Sequence, residues 1–305
     1  MHSSPVLWGV FALVILSMLI LDLGVVNRRA REIKFKEAFL WSLVWISLAL
    51  AFSGLVHVWM GPSKALEFLT GYVVEESLSV DNLFVFILLF AYFRVPKHYE
   101  HKILFWGILG VLLTRGIFIT AGVALIHRFD WVLYLFGAVL IYTAVRLALE
   151  KDKEVRPEKN MFLKFFKKVM PVTPDYEGSH FFIRQGAGIA ATPLFVMLLV
   201  VESTDLLFAV DSVPAVLGIT HDPFIVYTSN IFAILGLRSL FFLLSGIMGL
   251  FHHLHYGLAL ILAFIGVKML LSGTVHIPVG VALSVIAAVL ALSIIGSLIW
   301  PKKTE

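Results

Sequence analysis

The sequence predicts an all-α polytopic membrane protein of about nine transmembrane helices, containing an inverted repeat of three helices each. Three observations carry that expectation: the composition, the length of the apolar runs, and the placement of Lys and Arg between them. Of 305 residues, 60% are hydrophobic and only 14% charged, where water-soluble domains carry about 25%. Mean hydropathy is +0.94. The net charge of +4 does not argue for nucleic acid, because the basic residues gather in short loops between apolar runs, where lipid headgroups would meet them. Cysteine is absent, which excludes a disulfide framework, a thiolate metal site and a dithiol redox centre.

A helix needs about 20 mostly apolar residues to cross a bilayer. The runs 6–26, 38–60, 68–93, 102–126, 131–149, 188–216, 224–248, 256–272 and 278–299 meet or approach that length. The first is not read as a cleavable signal. Its basic cluster (Arg28, Arg29, Arg31, Lys34, Lys36) lies downstream, and residues 1–5 hold no Lys or Arg. With the N-terminus outside, the cytoplasmic segments hold that cluster, Arg94, Lys97, the bases of 150–187, and Lys302 and Lys303. The outer loops hold only Lys64 and Arg128. This asymmetry places the C-terminus in the cytoplasm and suits a bacterial inner membrane.

The chain then divides into a two-span segment 1–67, a three-helix unit 68–149, a cytoplasmic linker 150–187, a second three-helix unit 188–272, and a last span and tail 273–305. The linker opens with the charge run Glu150 to Glu154. In it, Phe162, Phe165, Phe166 and Val169 recur at helical spacing beside Lys164, Lys167 and Lys168. Such a pattern fits either an interfacial helix on the inner leaflet or a solvated linker.

The two three-helix units echo each other. Val80-Asp81-Asn82-Leu83-Phe84 resembles Thr204-Asp205-Leu206-Leu207-Phe208, and Ile108-Leu109-Gly110 recurs as Ile234-Leu235-Gly236. Tyr142 to Leu147 resembles Phe264 to Met269, and Arg115 has a near counterpart in Arg238. Three spans per copy is odd, so the second copy enters from the opposite face, as in many secondary transporters.

Carboxylates interrupt the third and sixth apolar runs: Glu75, Glu76 and Asp81 in one, Glu202, Asp205 and Asp211 in the other. A central carboxylate costs about 2.5–3.5 kcal/mol to insert, so five left unpaired would cost on the order of 12–18 kcal/mol. Arg115 and Arg238 are the expected counter-charges. Two arginines leave a surplus of negative charge that requires protons or a metal cation. Glu75 and Asn82 share a helical face, as do Ser77 and Asp81, and Glu202 and Asp205 can meet one ligand. The site residues expected to hold metal are therefore Glu75, Asp81, Asn82, Glu202, Asp205 and Asp211. Glu76 stays outside this set, since its position can face an adjoining helix, and Asp22 reads as a boundary residue. Pro214 and the Ser/Thr-rich stretches are expected to kink or unwind their helices and free carbonyls for coordination. The donors are hard oxygens, which suit Mg, Mn and Ca. His252, His253 and His255 read as surface or packing residues, with a metal entry site as the other option.

The segments Glu75 to Phe86 and Val201 to Ala215 resemble the two signature segments of the TerC family of integral membrane proteins. Ser229 to Arg238 and His180-Phe181-Phe182 share the likeness, which runs over nearly the whole chain and is closest to the Alx branch. The resemblance implies manganese efflux, with Glu75, Asp81, Glu202, Asp205 and Asp211 handling Mn²⁺. It also implies links to tellurium resistance and alkaline-pH response. The leading expectation is a secondary exporter of Mn²⁺, with protons as the natural exchange ion, no permanently bound cofactor and no enzymatic chemistry. Partners are the metal ion and the lipid bilayer, and a homo-oligomer is left open. Two alternatives stay open: the same scaffold carrying Ca²⁺ or protons, and a membrane scaffold or redox and pH-response modulator linked to tellurite resistance.

Overall fold

Proline opens three of the described helices. Pro62, Pro193 and Pro223 stand at first helical positions, where the missing N–H costs nothing and the fixed φ is already helical. The computed structural model describes residues 5–20, 35–129, 131–149, 161–176, 178–185, 188–246, 254–275 and 277–299. In order these form α1 (Pro5–Ile20), α2 (Phe35–Met60), α3 (Pro62–Tyr92), α4 (Lys97–Arg128), α5 (Trp131–Leu149) and α6 (Met161–Val169). There follow β1 (Phe182–Gln185), β2 (Gly188–Ala191), α7 (Pro193–Leu217), α8 (Pro223–Ser245), α9 (Leu254–Leu270) and α10 (Val279–Ile299). Asp22, Arg28, Arg29, Arg31, Lys34, the run Glu150 to Glu154, His252, His253, His276, Lys302 and Lys303 lie outside the described residues.

Six of the described helices are long and apolar enough to cross a membrane: α2, α4, α5, α7, α8 and α10. Two shorter apolar helices lie within α1 and α9. α3 has ample length at 31 residues but carries Glu75, Glu76 and Asp81. The outside of the bundle is apolar, with Leu13, Leu113, Tyr142 and Leu292 each at least two-thirds exposed. Such a surface suits lipid and would be a liability in water.

The sixth expected span starts later than its hydropathy suggests. Residues 188–191 pair with 182–185 as an antiparallel hairpin, Phe182 opposite Ala191 and Arg184 opposite Ile189, and the helix begins only at Pro193. At the other end, α2 and α3 meet at Gly61, whose φ of +92° favours a residue without Cβ. Asp222 caps α8 by accepting from the Phe224 N–H at 3.1 Å.

α8 is the most enclosed helix, buried along almost its whole length. α3 packs on α8, α4 on α7, and α5 on α9, while α2 covers α3 and α8. Close approach depends on small residues. A Cβ at Gly137 would stand 3.0 Å from the Gly266 carbonyl oxygen, and one at Gly266 would stand 2.9 Å from that of Gly137. α5 and α9 are thus in backbone contact.

The expected breaks in the acidic helices do not occur. α3 and α7 are continuous, and Pro214 sits in the last turn of α7, one residue-triplet before its end, where losing one ladder bond does little. The hydroxyls near the acids bond back into their own helices. Ser77 donates to Val73 O at 2.5 Å, Ser203 to Val200 O at 3.1 Å and Thr204 to Val200 O at 2.6 Å.

Candidate functional site

Arg115 stands on α4 and is 1% exposed. Its guanidinium reaches two other helices. Nε lies 3.3 Å from Asp205 Oδ2 and Nη2 lies 3.2 Å from Asp205 Oδ1, a bidentate fork onto α7. Nη1 pairs with Glu75 Oε1 on α3 and donates to Ser212 Oγ at 2.5 Å. Glu75 and Asp205 are 0% and 2% exposed. One cation therefore faces two carboxylates in the middle of the bundle. Glu75 Oε2 finds no hydrogen-bond partner. An excess negative charge in so dry a place is costly, and a proton or a bound cation would balance it.

Two further carboxyls lie beside glycines. Glu202, on α7, points at Gly110 of α4, where a Cβ would overlap the carboxylate. Glu76, on α3, approaches Gly236 of α8, whose Cβ would sit 3.7 Å from Oε1. Each has one buried oxygen without a partner, Glu76 Oε2 and Glu202 Oε1. Both amide atoms of Asn230, on α8, are likewise buried and unpartnered. These five atoms belong to three acids and one amide in α3, α7 and α8.

The remaining sequence candidates are more dispersed. Asp211, half-buried, accepts from Thr143 Oγ1 of α5 at 2.7 Å. Asp81 is half-buried and Asn82 buried. Arg238 is buried with Nη1 3.4 Å from His101 Nε2. Arg115 thus joins Glu75 to Asp205, whereas the sequence repeat had aligned Asp205 with Asp81. Among the described residues, no three His, Asp or Glu side chains are grouped closely enough to form a ready metal shell.

Sequence reasoning missed two features. Gly110 was noted as a repeat marker, but not as the space Glu202 occupies; the matching Gly236 beside Glu76 was the available signal. At the end of the bundle where α3 and α8 begin and α4, α7 and α9 finish, a cavity of about 1710 Å³ is lined by Lys64, Glu67, His127, His221, Asp222 and Lys268 among others. Lys64 bridges Glu67 at 2.7 Å and Asp222 at 3.4 Å, and Thr220 donates to Glu67 at 2.5 Å. Desolvation at the cavity wall lowers the His221 pKa below its ordinary value, and the neighbouring His127 and Lys268 add to the effect.

The model of the integral membrane protein TerC family matches residues 60–305. The chain belongs to the TerC family. Its relatives extend over essentially the whole length. An uncharacterized membrane protein, STKORF319, of Myxococcus xanthus is 50% identical over 97% of this chain and 93% of its own. A protein named "Putative membrane-bound redox modulator Alx" in Escherichia coli K12 is 44% identical over 96% of this chain and 94% of its own. One of the same name in Photorhabdus laumondii is 43% identical over 99% and 97%. No solved structure matches. The TerC match begins at residue 60, so it takes in every acid described above.

Proposed function

We propose that this TerC-family protein is a secondary transporter that exports a divalent cation, Mn²⁺ first among them, through the carboxylates around Arg115. The observation that carries this reading is the buried cluster of Glu75, Arg115, Asp205 and Ser212, joining three helices with more negative than positive charge. A scaffold requires only neutral packing. Uncompensated buried carboxylate is expensive, and ion pathways are where such residues are found. The donors are oxygens, the ligand type for Mn and Ca.

The cargo would bind between α3 and α7, to Glu75, Asp205, Glu202 and Asp211 with Asp81 and Asn82, once Arg115 has yielded. Protons on the same carboxyls would restore the balance on the return step. The nine-span inverted repeat belongs to this proposal. It is supported by helix pairing: α3 on α8 matches α7 on α4, and α5 packs on α9. The contacts Glu76–Gly236 and Glu202–Gly110 stand at one constant offset, since 202 − 76 and 236 − 110 both equal 126. The N-terminus would lie outside and the C-terminus in the cytoplasm of a bacterial inner membrane, with a homo-oligomer an open arrangement.

Manganese uptake into everted vesicles tests the proposal. Glu75→Gln, Asp81→Asn and Asp205→Asn are each expected to lower the flux at least ten-fold. Unchanged flux in all three would remove the claim, and competition by Ca²⁺ in the same assay sets the selectivity. The name carried by the Alx relatives favours a second reading, a membrane-bound redox modulator. The chain has no cysteine, so such a role would not use its own thiols. A manganese-sensitivity phenotype complemented equally by a chain lacking Glu75, Asp81, Glu202, Asp205 and Asp211 would support that reading instead.

A further inference from the structure

We propose that α6 and the β1–β2 hairpin form a single anchor for anionic phospholipid headgroups at the membrane surface where α7 begins. Three observations converge. α6 divides its circumference three ways. Leu163 is buried and Phe166 packs on Phe195 at 5.2 Å. Phe165 and Val169, four residues apart, are 69% and 70% exposed. Lys164 and Lys168, also four apart and on the adjoining stripe, are exposed as well. An apolar strip bordered by a basic one is the pattern of a helix lying in the headgroup layer.

The hairpin repeats that chemistry in strand form. Arg184 and Ile189 are cross-strand partners, and Phe182 lies two residues before Arg184, so all three share a face. Phe182 and Ile189 are 44% and 59% exposed.

The two pieces are also tied together and fixed in height. Ala191 N donates to Pro171 O and Thr173 N to Ala191 O, both at 2.9 Å, which joins the exit of α6 to β2. Phe166 and Phe182 both pack on Phe195, the latter at 4.4 Å. Phe195 is in the first turn of α7, a helix long and apolar enough to span, so this level is a bilayer boundary. The exposed cations Lys164, Lys168 and Arg184 select an anionic headgroup over a neutral one by about five-fold per charge.

Absence of native cysteine makes the test direct. Phe165→Cys, Val169→Cys and Ile189→Cys, each labelled with a polarity-sensitive fluorophore, would be studied one copy per nanodisc. The lipid would be phosphatidylcholine alone or with phosphatidylglycerol. With phosphatidylglycerol, quenching by a shallow lipid nitroxide and protection from aqueous iodide are expected at all three sites. Protection should fall several-fold in phosphatidylcholine alone, and likewise when Lys164→Gln, Lys168→Gln and Arg184→Gln are combined. Leu292→Cys on α10 gives the lipid-embedded reference. Labels open to iodide in every disc would overturn the anchor, and equal protection in both lipids would overturn the headgroup claim. Protection appearing only with two copies per disc would show that a second chain covers this face, and would also overturn it. None of these readouts depends on transport, so the anchor stands or falls apart from the carrier.

Discussion

Replacing Arg115 by Met tests whether the central charges are held by that side chain. Arg115, Glu75 and Asp205 are 1%, 0% and 2% exposed, so the bulk solvent that weakens surface pairs is missing here. Deleting one partner of a buried pair costs about 3–5 kcal/mol, because the other charge stays behind. Here two carboxylates lose their partner, yet the costs do not simply add, since both share one guanidinium. Proton uptake by the stranded carboxyls caps the loss, so the expected destabilisation of Arg115→Met is about 3–5 kcal/mol. Arg115→Lys keeps the charge but not the bidentate fork on Asp205 or the bond to Ser212, and should lose roughly 1.5–3 kcal/mol. Adding Glu75→Gln to Arg115→Met removes one stranded charge and should recover part of the loss. Reversible unfolding in mixed micelles, followed by circular dichroism, measures all four proteins. Arg115→Met within about 1 kcal/mol of the parent, or a double variant less stable than the single, would refute the argument.

Gly110→Ala forces the Glu202 carboxylate from its place and should cost about 1–3 kcal/mol. Gly236→Ala meets nothing closer than 3.7 Å and should be nearly neutral in the same unfolding assay. Gly137→Ala drives a methyl toward the backbone carbonyl of Gly266, which cannot yield as a side chain can. It should loosen α5 from α9, read as faster amide exchange in both helices. Thr143→Val removes the bond to Asp211 and should destabilise by about 1–3 kcal/mol, with Thr143→Ser retaining most of it. The depressed His221 pKa means the folded chain binds fewer protons than the unfolded one. Its contribution is complete above the ordinary value of 6.5 and is lost as pH falls through the folded value. Melting temperature should therefore drop on acidification, and His221→Gln should flatten that limb.

The helical membrane fold was legible because it rests on composition and run length, which are local. α5 covers the expected residues 131–149, α2, α8 and α10 start and finish within three of theirs, and α4 starts five residues early. The start of α7 was misread because Gly188-Ile189-Ala190-Ala191 is as apolar as a span. Hydropathy has no means of distinguishing a short apolar strand from a helix turn, and Pro193 was the better marker. The hydroxyl-rich stretches were misread for a related reason. Ser77, Ser203 and Thr204 satisfy themselves on carbonyls of their own helices, so the helices run on through them. Which acid meets which arginine was the least legible feature. Helical spacing tells which residues share a face, but the pairing of Arg115 with both Glu75 and Asp205 depends on how α3, α4 and α7 are rotated.

That rotation separates the skeleton from its chemistry. At the proposed offset of 126 residues, Glu76 maps to Glu202 and Gly110 to Gly236, so the glycine-seated carboxyls obey the repeat. The arginine cluster does not. At this offset Arg115 maps to Phe241, three residues past its near counterpart Arg238, Glu75 to Val201, Asp205 to Ser79, two residues before its sequence counterpart Asp81, and Ser212 to Phe86. Phe241 and Phe86 are themselves buried, at 1% and 4% exposed, in one apolar cluster that packs α3, α4, α7 and α8 together. Under the proposed repeat, the side of the bundle holding Arg115 is therefore polar where the corresponding position is filled with aromatic rings. A carrier that rocks one copy against the other needs two conformations of similar backbone energy, which a repeat supplies. In the proposed carrier, an off-symmetry arginine would make the cargo site differ between the two copies. Two variants test the separation. Phe241→Arg adds a buried cation facing no matched acid and should unfold the chain, whereas the paired change Glu76→Gln with Glu202→Gln should leave the fold intact and alter only flux.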